Sequence, residues 1–386
     1  MSEFVTGADV KRLHWLRFAL RLLAVLVLLY IFLLGIGLMG ASFKLMGKGV
    51  VEGLVSATSN PFVGLFIGIL ATSLVQSSSV TTSLVVALVS AGAVSLEHGI
   101  PIVMGANIGT SVTNTLVSLG HVKNRNEFKN AFAAATVHDF FNFATVAVLL
   151  PLEIATGFLR KSASWLASVF IGSSAIEFKS PVKAIIKPVV KLIQDLFVSD
   201  SALGLSEFVA GIVLIMLAVV FIFFSLTFLV KNMRKLMMNN MEAVINRLLT
   251  ANAFVAITLG ALVTAVIQSS SLTTSILVPL VGAGLLSLEA AFPITIGANI
   301  GTTVTALLAS LAGNSLGVTI AFSHLLFNIS GTLLFYPVER MRRIPLSMAK
   351  WIGGVAGKNR YLALIYILFM FFLLPLLIIA ITGMFG

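Results

Sequence analysis

Residues 290–338 contain no Asp, Glu, Lys or Arg, and five other stretches share this property: 22–43, 53–96, 208–230, 248–288 and 361–386. A helix needs about 20 consecutive apolar residues to cross the hydrocarbon core of a bilayer. Each stretch is long enough for one crossing, and the longest for two. Only 10% of the 386 residues are charged, where a soluble domain carries roughly 25%. The sequence therefore predicts an all-α polytopic membrane protein. The N-terminal run after Lys11, Arg12, Arg17 and Arg21 reads as a retained first span, because it is too long for the apolar core of a cleavable signal.

The surplus of 25 Lys+Arg over 14 Asp+Glu is read as a bias towards basic cytoplasmic loops, and nucleic acid is not expected as a partner. Cysteine is absent, which excludes structural disulfides.

The chain is internally duplicated. Residues 72–119 align without a gap to 264–311, and 29 of the 48 positions are identical. "QSSSVTTS" at 76–83 matches "QSSSLTTS" at 268–275, and "GANIGTSVT" at 105–113 matches "GANIGTTVT" at 297–305. Weaker echoes follow, "HDFFN" at 138–142 and "HLLFN" at 324–328. The loop after the first copy, 120–130, is basic, whereas the equivalent loop after the second, 312–317, is uncharged. In front of the second copy lies the basic stretch 231–240, while 56–61 before the first is neutral. Basic loops mark the cytoplasmic side, so equivalent loops are expected on opposite faces, as in an inverted-topology repeat. The expected organisation is an N-terminal repeat (1–157), an extracellular or interfacial linker (158–206), an inverted C-terminal repeat (207–337), and a basic cytoplasmic segment with a last helix (338–386). Within the linker, Lys179, Lys183, Lys187 and Lys191 recur every four residues, which predicts an amphipathic interfacial helix.

Each "QSSS" stands between apolar runs too short to span alone. Two half-helices meeting at a polar break form a re-entrant hairpin, and duplicated interrupted helices point to a transporter's binding site. Small hydroxyl residues also serve as plain packing in membrane helices. Their concentration beside Gln76 and Gln268 favours a site over that reading. Gly105 and Gly297 are expected to open their helices, with Asn107, Thr110, Thr113 and Asn299 lining the cavity. Such neutral oxygens suit an alkali cation. Neither region contains Lys or Arg, so an anion would depend on hydroxyl and amide donors, helix N-termini and co-bound cations. Asp139 lies within a span, where an acid is costly and usually functional. His138 and His324 are read as packing or hydrogen-bonding residues, with Asn142 and Asn328 one turn beyond. The residues alone reach a cation-coupled secondary transporter of a small oxygen-rich solute. A channel built from paired hairpins and a non-transporting scaffold remain open. No metal cluster, nucleophile–base pair or P-loop suggests an enzyme.

At these motifs the sequence resembles the type II sodium-dependent phosphate cotransporter family. The resemblance rests on the paired "QSSS", the paired "GANIGT" and the stretch "ATVHDFFN…VLLPLE" (135–153). It implies a cell-membrane symporter of inorganic phosphate and sodium, probed against a channel or a symporter of another small oxyanion as alternatives. It implies phosphate held by Gln76, Ser77, Ser78, Ser79, Gln268, Ser269, Ser270 and Ser271. Sodium would be held by Gln268, Ser269, Thr302 and Thr305, and at another site by Thr115, Asp139 and Asn142. The acid after the His implies net charge movement. Sodium is cargo and no cofactor is expected; the sequence is compatible with a homo-oligomer. The short, cysteine-free linker suggests a compact bacterial-type member.

Overall fold

A computed structural model of the chain describes residues 7–47, 49, 60–171, 181–198, 205–237 and 252–385. Lys179, residues 56–59 and residues 238–240, which entered the arguments on the linker and on loop charge, lie outside them. Apart from one isolated bridge between Val198 and Leu205, regular structure among the described residues is helical. The region expected to form the first repeat contains α1 (Gly7–Met46), α2 (Pro61–Val75), α3 (Ser78–Ala91), α4 (Leu96–Gly109), α5 (Val112–Ser118) and α6 (Arg125–Thr156). The region expected to form the linker contains α7 (Phe158–Ile171) and α8 (Pro181–Asp195). The region expected to form the second repeat contains α9 (Glu207–Met237), α10 (Ala253–Ile267), α11 (Ser270–Gly282), α12 (Leu288–Ser310) and α13 (Ser315–Phe335). α14 (Glu339–Lys358), α15 (Arg360–Leu368), a π-helical stretch (Phe369–Leu373) and α16 (Leu374–Phe385) complete the chain.

Among the described residues, six helices are long and apolar enough to cross a membrane, and this is a multi-pass membrane protein. They are Phe18–Met46, Arg125–Thr156, Glu207–Leu236, Leu288–Ser310, Ser315–Phe335 and Arg360–Thr382. The helices flanking each "QSSS" are not among them. At 13 to 15 residues and 1.5 Å per residue, each covers about 20 Å of a core about 30 Å thick.

Equivalent polar residues start equivalent helices. Asn60 Oδ1 accepts from Phe62 N at 2.9 Å ahead of α2, and Asn252 Oδ1 accepts from Val255 N at 3.0 Å ahead of α10. Ser95 and Ser287 cap α4 and α12, and Asn124 and Asn314 cap α6 and α13. Such side-chain oxygens satisfy amides that have no partner in the first turn.

The opening spans of the two repeats pack against each other antiparallel. Arg21 on α1 donates to the Lys235 carbonyl, Gly35 lies against Ala218 and Ile222, and Ser42 and Met46 lie against Gly211. Partner numbers on α9 thus fall as those on α1 rise. Within each repeat, α2 packs parallel to α4, and α10 parallel to α12.

Those parallel pairs correct the expected role of two glycines. Gly105 and Gly297 do not open their helices: both lie inside helix, and α12 runs unbroken from Leu288 to Ser310. A Cβ at Gly105 would collide with the Leu65 carbonyl oxygen, and one at Gly297 with that of Ile257. The missing side chain permits backbone-to-backbone contact between each half-helix and the GANIGT helix. The break in the first copy falls later, at Thr110–Ser111 between α4 and α5, and the second copy has none there.

Candidate functional site

Gln76 (φ 57°, ψ 29°) and Gln268 (φ 62°, ψ 27°) are the only non-glycine residues with positive φ among those described. Left-handed backbone costs an ordinary residue roughly 1–2 kcal/mol, and such strain concentrates at ligand clamps and switch regions. Here it closes the half-helices: Gln76 N donates to Thr72 O and Gln268 N to Thr264 O, both at 2.7 Å. The next residue is extended (φ −151° for Ser77 and Ser269) and caps the second half-helix, with Val80 N donating to Ser77 Oγ and Leu272 N to Ser269 Oγ. One glutamine and one serine therefore make the whole turn. The N-termini of α3 and α11, with their partial positive charge, lie directly at the hairpin tips.

The tips meet across the repeats. Thr305 Oγ1 donates to Gln268 Oε1 at 2.7 Å and lies 3.4 Å from Ser79 Oγ, and Ser79 Oγ donates to the Gln268 carbonyl at 3.3 Å. Gln268 Nε2 also donates to Ala265 O. The hydroxyls of Ser78, Ser270 and Ser271 form no hydrogen bond to a described residue, which leaves their donors available. The later hydroxyls of each motif are occupied by their own helices: Thr82 Oγ1 donates to Ser78 O and Thr274 Oγ1 to Ser270 O, each at 2.8 Å.

The two copies differ at this point. Gln268 is buried and bonded to Thr305, whereas Gln76 is exposed. The buried hydroxyl of Thr113, which occupies the position equivalent to Thr305, has no partner.

A second set of bonds ties the GANIGT helices to the His/Asn echoes. His138 Nε2 meets Asn299 Oδ1 at 3.0 Å, and His324 Nε2 meets Asn107 Oδ1 at 3.3 Å. Asn142 Nδ2 donates to Asn107 O at 3.0 Å, and Asn328 Nδ2 to Asn299 O at 3.4 Å. Each histidine reaches the opposite repeat through Nε2, and each asparagine amide donates to a backbone carbonyl of its own repeat. Asn299 Nδ2 adds a 2.8 Å bond to Asn142 Oδ1. The weak repeat at 138–142 and 324–328 is thus reproduced in side-chain pairing.

Asp139 is fully buried. Its Oδ2 accepts from Tyr366 Oη at 2.9 Å, and its Oδ1 has no partner. The other residues assigned to this group bond elsewhere. Asn142 joins the asparagine set, and Thr115 Oγ1 donates to Val112 O at 2.8 Å. Thr302 Oγ1 likewise turns back to Ala298 O at 3.0 Å, and Thr110 Oγ1 to Ala106 O at 3.0 Å. Two contributors escaped sequence reasoning. Tyr366 lies outside the duplication. Asn114 bonds Thr274 at 2.8 Å and accepts from Ser275 at 3.0 Å, yet copy two has Ala306 at its place, so comparing the copies conceals it.

A sequence profile described as Na+/Pi-cotransporter matches residues 31–178 and 220–350, which hold both hairpins, both GANIGT helices and both histidines. The chain belongs to this family. Two relatives place it further. The human sodium-dependent phosphate transport protein 2B is 34% identical over 94% of the chain and 65% of its own length. The rat sodium-dependent phosphate transport protein 2A is 36% identical over 92% of the chain and 66% of its own length. The chain spans just under two thirds of the length of these relatives. No solved structure matches it.

Proposed function

We propose that the chain is a secondary active symporter of the cell membrane that couples inward sodium movement to uptake of inorganic phosphate. The observation that carries this reading is the meeting of the two hairpin tips through Ser79, Gln268 and Thr305. Two strained turns that place two helix N-termini and a set of free hydroxyls together form a site for an oxyanion that lacks any Arg clamp. Phosphate is held between Gln76–Ser79 and Gln268–Ser271. Sodium, a hard cation, is bound by neutral oxygens of Gln268, Ser269, Thr302 and Thr305, with Asp139, Asn142 and Thr115 serving another ion. The names of the relatives supply phosphate and sodium as cargo.

The antiparallel packing of α1 on α9 supports an inverted relation between the repeats. The unequal state of the two glutamines supports alternating access. In the described conformation Gln268 is docked on Thr305 and Gln76 is undocked from Thr113; in the opposite conformation these roles exchange. Charge on Asp139 makes the cycle electrogenic.

The deciding measurement is radiolabelled phosphate uptake into proteoliposomes under an imposed inward sodium gradient, with choline or potassium as replacement. Uptake should require the gradient, saturate, and show counterflow. Uptake indifferent to collapse of the gradient would exclude symport, and unitary currents would identify a channel instead.

A further inference from the structure

A cavity of about 550 Å³ lies between α1, α8, the end of α3 and the turn joining α12 to α13, away from the hairpin tips. Four lysines line it, Lys44, Lys183, Lys187 and Lys191, against one carboxylate, Asp195. Among the described residues none of the four forms an ion pair. Lys183 Nζ reaches the Gly313 carbonyl at 3.5 Å, which neutralises the C-terminal end of α12. The other three have no such role. Ile36, Leu45, Ile186 and Val190 form an apolar floor, and the remaining wall includes Gln194, Asn314 and Ser90, whose buried hydroxyl has no partner.

The helix carrying three of these lysines has three faces. Ile186 and Val190 are buried, and Gly37 of α1 leaves the space they fill. Lys183, Lys187 and Lys191 follow one another at four-residue intervals beside that buried face. Ile185 and Leu192 point away from both and are 64% and 62% exposed. A helix with one exposed apolar face and one cationic face lies along the bilayer surface, with its cations at headgroup level. The cavity therefore opens where phosphate esters are, and it combines cations with an apolar floor.

We propose that this cavity binds the phosphate group of an acidic phospholipid, the lysines holding the phosphate oxygens and the apolar floor holding the glycerol and first acyl carbons. A free phosphate ion shares the headgroup chemistry but would leave the floor unused. The assignment stands apart from the transport reading, and its test reads no transport. Purified full-length protein is incubated with phosphatidylglycerol or phosphatidylcholine and the retained lipid is counted by native mass spectrometry. In a parallel arm, radiolabelled inorganic phosphate binding is measured without sodium. The triple variant Lys44→Gln/Lys187→Gln/Lys191→Gln is compared with the charge-matched control Lys161→Gln/Lys235→Gln/Lys358→Gln, whose lysines lie outside the cavity. Phosphatidylglycerol retention should fall about tenfold or more in the cavity variant alone, as expected for losing several lysine–headgroup contacts. Lys187→Gln alone should give a partial loss, which keeps the result readable if the triple variant unfolds. Equal loss in both triple variants, or equal retention of phosphatidylcholine and phosphatidylglycerol, would overturn the proposal. Lysine-dependent binding of free phosphate without lipid retention would overturn the lipid assignment.

Discussion

Tyr366 on α15 donates its hydroxyl to Oδ2 of Asp139 on α6 at 2.9 Å, so a helix outside both repeats holds a fully buried acid within the first. A π-helical stretch, Phe369–Leu373, begins three residues later. Such bulges recur at functional positions. Removing the phenol should leave a buried acceptor short of a donor. Tyr366→Phe is expected to lower stability by about 1–3 kcal/mol, read as a fall in the melting temperature of the purified protein, and to raise the sodium concentration needed for half-maximal uptake. An unchanged sodium dependence would separate the tyrosine from coupling.

Asp139→Asn keeps the shape of the side chain and one oxygen to accept from Tyr366, but replaces the other oxygen with an amide donor and removes the charge. If the acid sets net charge movement, the variant should take up phosphate with fewer charges per phosphate. Simultaneous current and tracer flux measure that ratio directly, and an unaltered ratio would rule the acid out.

The unequal docking of the two glutamines yields an asymmetric expectation. Thr305→Ala removes the donor to buried Gln268 and should cost about 1–3 kcal/mol of stability. Thr113→Ala removes a hydroxyl that has no partner in this conformation and should change stability by about 0.5 kcal/mol or less. Under the proposed exchange of roles, in which each threonine receives its glutamine in one conformation, both should slow uptake. Wild-type uptake by Thr113→Ala would count against the exchange of roles.

Gly105→Ala and Gly297→Ala each place a methyl group against a carbonyl of the neighbouring half-helix. Overpacking of this kind costs about 1–3 kcal/mol or more, because a backbone cannot rotate away. Gly354, on α14, has open space where a Cβ would go. There Ala should stabilise the helix by about 0.5–1 kcal/mol. Melting temperatures of the three variants test the contrast.

The elements legible in the sequence were those that depend on pattern. Charge-free length marked five of the six spans, the exception being Arg125–Thr156 with Asp139 inside it, and the polar break at each "QSSS" marked the hairpins, because an interrupted helix in hydrocarbon must turn back or line a cavity. The His/Asn echo pointed to residues that the fold joins across the repeats. What the sequence hid depended on differences between near-identical segments. "GANIGT" occurs in both copies, yet only the first is followed by a break, at Thr110–Ser111. The residues within the motif cannot encode that difference; after Gly105 and Gly297 the copies diverge only from the break onward, at Ser111 and Thr303, Asn114 and Ala306, and Thr115 and Leu307. Tyr366 was hidden for a different reason: it sits in an apolar span with no partner motif in the sequence, and only its approach to Asp139 gives it a role.

The one-glutamine, one-serine turn also determines how each hairpin can move. A long tip could reshape itself around cargo while its supporting helices stayed still. A turn this short, capped on both sides, has no slack. Any displacement of Gln76 or Gln268 must carry its two half-helices along together.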